Sequence, residues 1–246
     1  MSKNRKNIIV LFIVLLLGSI SIVEAKVYLV AVGISDYPGK RSDLNLPAKD
    51  AKAITELYKK NTELQYCQLL NSEATTDKIK AAMNKVFASA GENDKVVFFF
   101  SGHGYKGGFN TYDGRLDYSD IQKAMSRSKC KNKMIFADAC FAGKMRGKRQ
   151  TNSQNIQNTR KNINVMLFLS SRDNEVSIEH RNMKNGFFTT YLINALRGNA
   201  DTNRDRIITA KELFKFVSEN VANISDNKQH PVMWGNFPDN MTVISW

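Results

Sequence analysis

The stretch Lys95-Val96-Val97-Phe98-Phe99-Phe100, followed at once by Ser101-Gly102-His103-Gly104, decides how this chain folds. Val96 to Phe100 are all β-branched or aromatic with no polar residue among them, so the segment reads as a strand buried on both faces. A strand of that kind lies inside a parallel sheet that helices cover on either side. Working outward, Lys133 to Ala137 (KMIFA) and Val165 to Leu169 (VMLFL) repeat the pattern downstream, and Val27 to Ile34 and Leu64 to Leu70 repeat it upstream. Between these runs the apolar spacing changes. Ala51, Ile54, Leu57 and Tyr58 recur at the helical period, as do Ile79, Met83, Val86 and Phe87, with Thr75 or Thr76 placed to cap the second helix. The expected fold class is therefore α/β, a three-layer sandwich with a mostly parallel central sheet.

Composition agrees with this reading. The chain has 246 residues, 42% of them hydrophobic and 10% aromatic, which is enough to bury a full core and excludes the disordered, collagen and coiled-coil classes. Lys3, Arg5 and Lys6 precede an apolar run from Ile8 to Val23, and Val23-Glu24-Ala25 fits a cleavage site. Residues 1–25 accordingly read as a secretory signal peptide, and residues 26–246 as the domain. The apolar run falls short of the roughly 20 residues that span a bilayer. A secreted or periplasmic protein is expected, with membrane contact only if the N-terminal segment stays uncleaved.

The formal net charge of +13 raises the question of nucleic acid, and the placement of the charge answers it. Lys144, Arg146, Lys148, Arg149, Arg160 and Lys161 all lie in residues 143–162 (GKMRGKRQTNSQNIQNTRKN), which contain almost nothing to bury and read as an exposed loop. Charge gathered in one loop without interleaved aromatic residues is not a nucleic-acid stripe, so no nucleic-acid partner is expected. Polyanion or cell-surface binding by that loop is a weaker reading that remains open. Three cysteines, Cys67, Cys130 and Cys140, are too few and odd in number for a disulfide framework. An unpaired thiol in an exported protein is then a candidate for reactivity.

Ligands of open parallel sheets bind beyond the carboxyl ends of central strands. Two such ends carry reactive groups: Ser101-Gly102-His103-Gly104 after the first strand quoted, and Asp138-Ala139-Cys140-Phe141-Ala142-Gly143 after Lys133 to Ala137. A free thiol is only a few per cent thiolate at neutral pH, so nucleophilic catalysis by cysteine calls for an imidazole beside it. His103, flanked by glycines that keep bulk away, supplies one; His180 and His230 stand in polar surroundings without such flanks. The backbone N–H groups of Gly104 and Cys140 could together form an oxyanion hole. Cys67 and Cys130 fit the commoner fate of cysteine, a buried inert thiol.

These residues carry a family resemblance. From residue 27 to 246 the chain resembles the caspase-like (caspase-haemoglobinase) fold of cysteine peptidases, most closely the metacaspases and their bacterial relatives. The resemblance rests on Val97-Phe98-Phe99-Phe100-Ser101-Gly102-His103-Gly104 and on Asp138-Ala139-Cys140, whose cysteine follows the histidine by 37 residues. Val30 to Ile34 with Asp36-Tyr37-Pro38, Lys49-Asp50-Ala51, Gly186-Phe187-Phe188-Thr189, and Gln229-His230-Pro231 with Gly235-Asn236-Phe237 follow in the order the family has them. The resemblance implies His103 as base, Cys140 as nucleophile, and a specificity pocket lined by Asp50, Ser101 and Asp138. Two carboxylates in one pocket would hold Arg or Lys by charge-assisted hydrogen bonds. Peptide or protein substrates with Arg or Lys at the cleaved position follow from it. So does self-cleavage in the 143–162 loop, which stands where caspase-like enzymes are cut to mature.

Two departures limit what carries over. Phe141-Ala142-Gly143 replaces the usual His-Ser-Gly after the nucleophile, and the segment from His103 to Asp138 is too short for the metacaspase calcium loop. Asp113 and Asp117, which lie in it, do not have the spacing of a calcium site. A second acidic pattern does: Asp201, Asn203, Asp205, Thr209 and Glu212 match positions 1, 3, 5, 9 and 12 of an EF-hand loop. Arg206 stands where that loop has its turn glycine, and the favoured reading is a polar turn in which Thr209 and Glu212 form a capping box. No cofactor is expected to be required, and calcium stays possible. The functional expectation is thus a secreted cysteine endopeptidase cutting after Arg or Lys. Its rivals are a catalytically silent caspase-like binding module and a peptidase that prefers Asp.

Overall fold

The structure is a computed structural model and describes residues 25–105, 107–140, 165–172, 175, 177 and 183–246, with Cys140 described by its backbone only. The apolar run of the signal-peptide reading and the six cations of the 143–162 loop lie outside the described residues. Among the described residues no helix is long and apolar enough to cross a membrane.

The five apolar runs are strands, and all five pair in parallel: β1 (Val27–Gly33), β2 (Leu64–Leu70), β3 (Lys95–Tyr105), β6 (Asn132–Cys140) and β7 (Met166–Leu169), in the order β2-β1-β3-β6-β7. A short antiparallel strand, Val232–Trp234, closes the far edge. The strand period of 2 sorts the core into two layers. Val30, Val32, Phe98, Phe100, Ile135 and Leu167 pack under α2 (Thr76–Phe87) and α3 (Tyr118–Ser126). Leu29, Ala31, Val97, Phe99, Phe136 and Phe168 pack under α1 (Pro47–Asn61), α4 (Phe187–Asn194) and α5 (Ala210–Ile224). Val96 to Phe100 are completely buried, as a central strand covered on both faces must be. The three-layer sandwich expected from the sequence is the observed architecture.

Two strands outrun their apolar segments. β3 continues through Ser101-Gly102-His103-Gly104 to Tyr105, and β6 continues through Asp138 to Cys140, so Ser101 to Gly104 and Asp138 to Cys140 belong to strands rather than to loops after them. What keeps the end of β3 from fraying is a small meander: β4 (Gly108–Asn110) pairs back onto Gly104 and Tyr105, and β5 (Arg115–Asp117) pairs onto β4. Phe109 of β4 anchors it, fully buried, stacked on Phe100 at 4.3 Å and meeting Tyr118 edge-on at 5.3 Å. The Phe runs were legible as core; this meander was not.

Helix α1 approaches the end of β1 so closely that only glycine fits at position 33. A Cβ there would stand 2.3 Å from the Pro47 carbonyl oxygen and 2.8 Å from the Ala51 Cβ. Gly33→Ala is therefore expected to push α1 off the sheet at a cost of about 1–3 kcal/mol or more. Thermal unfolding checks this, each kcal/mol lowering Tm by about 2–4 °C in a domain of this size. An unchanged Tm would mean that the contact relaxes freely.

Candidate active site

The parallel register of β3 and β6 runs past the core to the last residues of both strands, pairing Ser101 with Asp138, Gly102 with Ala139 and His103 with Cys140. Paired residues on neighbouring strands lie about 5 Å apart, and the alternation of the strand assigns Ser101 and Asp138 to the layer of α1, α4 and α5. Ser101 continues the series of Val97 and Phe99, and Asp138 that of Met134 and Phe136. Gly104 is buried one residue beyond His103, opposite Phe109 of β4.

His103 is held from three sides. Its Nε2 lies 2.7 Å from the carbonyl oxygen of Ser42, in the short 3-10 turn Lys40–Ser42 between β1 and α1. A carbonyl only accepts, so Nε2 carries the proton and Nδ1 is the basic nitrogen of the neutral ring. The ring packs against that of Tyr37, centroids 4.8 Å apart, and the His103 backbone N–H donates to the Tyr37 hydroxyl at 2.9 Å. That hydroxyl donates in turn to the Asn110 carbonyl at 3.2 Å, tying the meander to the histidine. Burial pushes the Tyr37 hydroxyl far above the ordinary phenol range, so it stays protonated.

Asp50 and Asp138 are both buried, at 1% and 7% exposure, on either side of the turn that starts α4. Asp50, on the first turn of α1, accepts at Oδ2 from the Ser101 hydroxyl (2.9 Å) and at Oδ1 from the Asn185 side-chain amide (2.8 Å) and the Gly186 N–H (3.2 Å). Asp138 accepts at Oδ1 from the Ser177 hydroxyl (2.7 Å) and at Oδ2 from the Thr189 N–H (3.1 Å) and hydroxyl (2.8 Å). Gly186 fits between them only because it has no side chain, since a Cβ would lie 2.5 Å from Asp138 Oδ2. The structure thus brings Asp50, Ser101 and Asp138 into one cluster one register step from His103 and Cys140.

Burial, and then the neighbouring Asp138 carboxylate, raise Asp50 well above the ordinary carboxylate range, while its hydrogen bonds work in the opposite direction. A carboxyl that holds its proton more tightly folded than unfolded makes stability fall as pH rises from the unfolded value near ~3.9 through the folded one. Below the unfolded value the effect is absent. Asp50→Asn is isosteric and has no charge to bury, so its Tm is expected to exceed that of the native chain at neutral pH by a few degrees and to show a flatter pH profile above about pH 4. Parallel melting curves across that range check it; coincident profiles would refute it.

The remaining sequence candidates are placed elsewhere. Asp113 accepts from the Thr76 N–H at 2.8 Å and helps start α2, and Asp117 accepts from the Tyr105 hydroxyl. The Asp201 carboxylate takes the backbone N–H groups of Arg204 (2.7 Å) and Arg206 (3.0 Å). Thr209 and Glu212 form the reciprocal capping box at the start of α5. Among the described residues no group of three or more His, Cys, Asp or Glu converges as metal ligands would. Burial raises the thiols of Cys67 and Cys130 above the ordinary range, and Cys130 Sγ sits 2.9 Å from the Asp94 carbonyl oxygen.

Sequence reasoning missed Tyr37, the Ser42 carbonyl, Ser177, Asn185 and Thr189. Asp36-Tyr37-Pro38 and Gly186-Phe187-Phe188-Thr189 stood out as motifs, but a motif without a partner shows no contact, and the partners lie 66 and 51 residues away. A carbonyl ligand such as that of Ser42 leaves no side-chain signal at all.

Comparison with known proteins agrees with this fold. The family model for the caspase domain matches residues 26–241. Among solved structures the chain is similar to a protein from Geobacter sulfurreducens, with a TM-score of 0.66 at 17% identity over 87% of this chain and 95% of that one. It is similar also to caspase-1 from Spodoptera frugiperda, with a TM-score of 0.60 at 15% identity over 85% of this chain and 86% of that one. The structure of pro-sf-caspase-1 gives a TM-score of 0.60 at 15% identity over 85% and 87%. No curated protein matches the sequence significantly.

Proposed function

The chain belongs to the caspase-domain family, a family of cysteine-type peptidases acting on peptides or proteins, and from that premise we propose that it is an exported endopeptidase cutting after Arg or Lys. The observation that carries the proposal is the double register of β3 and β6: His103 beside Cys140, and Ser101 beside Asp138 one step below. In this reading His103 Nδ1 takes the thiol proton as the Cys140 sulfur attacks the scissile carbonyl carbon. The oxyanion that forms accepts from the N–H groups of Gly104 and Cys140. The tetrahedral species collapses with cleavage of the C–N bond, and His103 returns the proton to the departing amine. Water then attacks the thioester with His103 again as base, releasing the acid and restoring the thiol. Ser42, by accepting from Nε2, stabilises the imidazolium in both halves of the reaction.

Asp50, Ser101 and Asp138 form the floor of the specificity pocket in the same reading. A carboxylate pair in a buried site favours a cation strongly and repels an acidic side chain, so Asp at the cleaved position is disfavoured. Residues 1–25 act as an export address, and residues 143–162 hold the sites of self-cleavage.

Mass spectrometry of a proteome-derived peptide library incubated with the full chain tests this proposal. Cuts after Arg and Lys, together with a cut after one of the six cations of 143–162, are expected. Cuts after Asp would overturn the pocket assignment, and a folded chain that cuts nothing would overturn the peptidase assignment.

A further inference from the structure

A pocket built to take a guanidinium or ammonium group should show its carboxylates to solvent when empty, and here both are closed off, at 1% and 7% exposure. Asp50 forms no ion pair among the described residues; its oxygens are met instead by three neutral donors, Ser101, Asn185 and the Gly186 N–H. Two of these are fixed parts of the fold. Ser101 lies in β3, and Gly186 is the residue from which α4 begins, its carbonyl accepting from the Thr190 N–H at 2.9 Å. The third is a side chain on a half-buried residue, and rotation about its own bonds would withdraw it with no change in the backbone.

The Asn185 amide presents a planar sp² nitrogen with two hydrogens to Asp50 Oδ1 at 2.8 Å, which is the donor and the distance that one arm of an arginine guanidinium would offer. Resting on the assignment of Asp50 and Asp138 as the basic-residue pocket, we infer that Asn185 is a built-in occupant of that pocket, holding the place of the substrate's cation until a basic side chain displaces it. Neutral, it satisfies one oxygen but leaves the repulsion between the two carboxylates in place: burial first and then Asp138 raise the proton affinity of Asp50, and the Asn185 amide only partly opposes them. A true cation relieves that repulsion, so exchange favours the substrate, at the cost of displacing Asn185 first. Asn185 is in this sense a specificity-determining residue: it sets how tightly a basic group must bind to enter.

A side chain that competes with substrate and one that supports its binding respond oppositely to removal. If Asn185 competes with substrate, removing its amide raises the fraction of pocket ready to bind and lowers the apparent dissociation constant by that factor. If it merely orients Asp50 for substrate, removing it weakens binding. Calorimetric titration of the full chain with agmatine, a guanidinium amine, separates the two. Agmatine is expected to bind Asn185→Ala about tenfold more tightly than the native chain, and Asn185→Lys, which tethers a permanent cation, at least about tenfold more weakly. With Arg-containing peptides the Ala variant should show the same gain in KM at unchanged kcat, since the competition is lost equally from ground and transition states. Agmatine binding that is equal or weaker in Asn185→Ala would overturn the inference while leaving the pocket assignment intact. Asp138→Asn serves as the separate control: binding that survives it, or no binding to any of the proteins, would overturn the pocket assignment and the inference with it. Melting temperatures of each variant establish that all are folded.

Discussion

The full chain carrying Cys140→Ala should lose turnover of an Arg or Lys peptide by at least about 10³-fold in kcat, with substrate affinity retained. Alanine has no group able to form the thioester, so the whole covalent route disappears; only the modest contribution of the oxyanion donors and of binding is left. His103→Ala should come close to the same loss, because the thiol is then neither deprotonated at the right moment nor relieved of its proton toward the leaving amine. Residues that work as a unit do not add, so the double variant should be scarcely slower than either single one. Cys67→Ala is the informative control. Its thiol is half-buried and pushed up in proton affinity by that burial, so activity and its inhibition by thiol reagents should be unchanged. Initial rates on a single fluorogenic peptide compare the four variants with the native chain. A Cys140→Ala chain as active as the native one would place the chemistry elsewhere in the molecule.

Asp138→Asn should reduce kcat/KM on Arg and Lys peptides by about 10²–10³-fold, as expected when one partner of a buried charge pair is removed, and should narrow the gap to peptides with neutral residues at that position. The substitution preserves shape, and the Thr189 N–H can still donate to the remaining carbonyl oxygen, so the fold should tolerate it. The Asp138 effect should fall mainly on selectivity and that of Cys140 on turnover. Comparing kcat/KM across a set of peptides that differ only at the cleaved position reads the two apart. An unchanged ratio between basic and neutral peptides would show that Asp138 does not face the substrate.

The way these residues could be read in the sequence follows from physics that acts locally. The runs Val27 to Ile34, Lys95 to Phe100 and Lys133 to Ala137 announced a buried parallel sheet because a strand covered on both faces has no use for polar residues. The capping box of Thr209 and Glu212 was legible because both partners lie within one turn. The meander of β4 and β5 was not, since three-residue strands are too short to show a period. The extension of β3 and β6 through their motifs was hidden by the glycines and polar residues that end the apolar pattern. In the candidate site, His103, Cys140, Asp50 and Asp138 stood out by residue type and motif order. Asn185 did not, because its importance comes from a contact 135 residues away with nothing distinctive in its own neighbourhood.

The parallel pairing of β6 with β7 has a further consequence, in the order in which the chain can be assembled. These neighbouring strands, joined by Met134 with Met166 through Ala137 with Leu169, lie on either side of the 143–162 segment. A cut in that segment would separate the chain into an amino part holding Asp50, Ser101, His103, Asp138 and Cys140 and a carboxy part holding Ser177, Asn185 and Thr189. The sheet would keep the two parts together, and native gels should show one band where denaturing gels show two. Refolding, however, would change kinetic order: a reaction that is unimolecular in the intact chain would become an encounter between two fragments, slowing as the protein is diluted. Once unfolded at low concentration, the cut protein would not readily recover, so its working lifetime would be governed by how slowly it opens rather than by how stable it is.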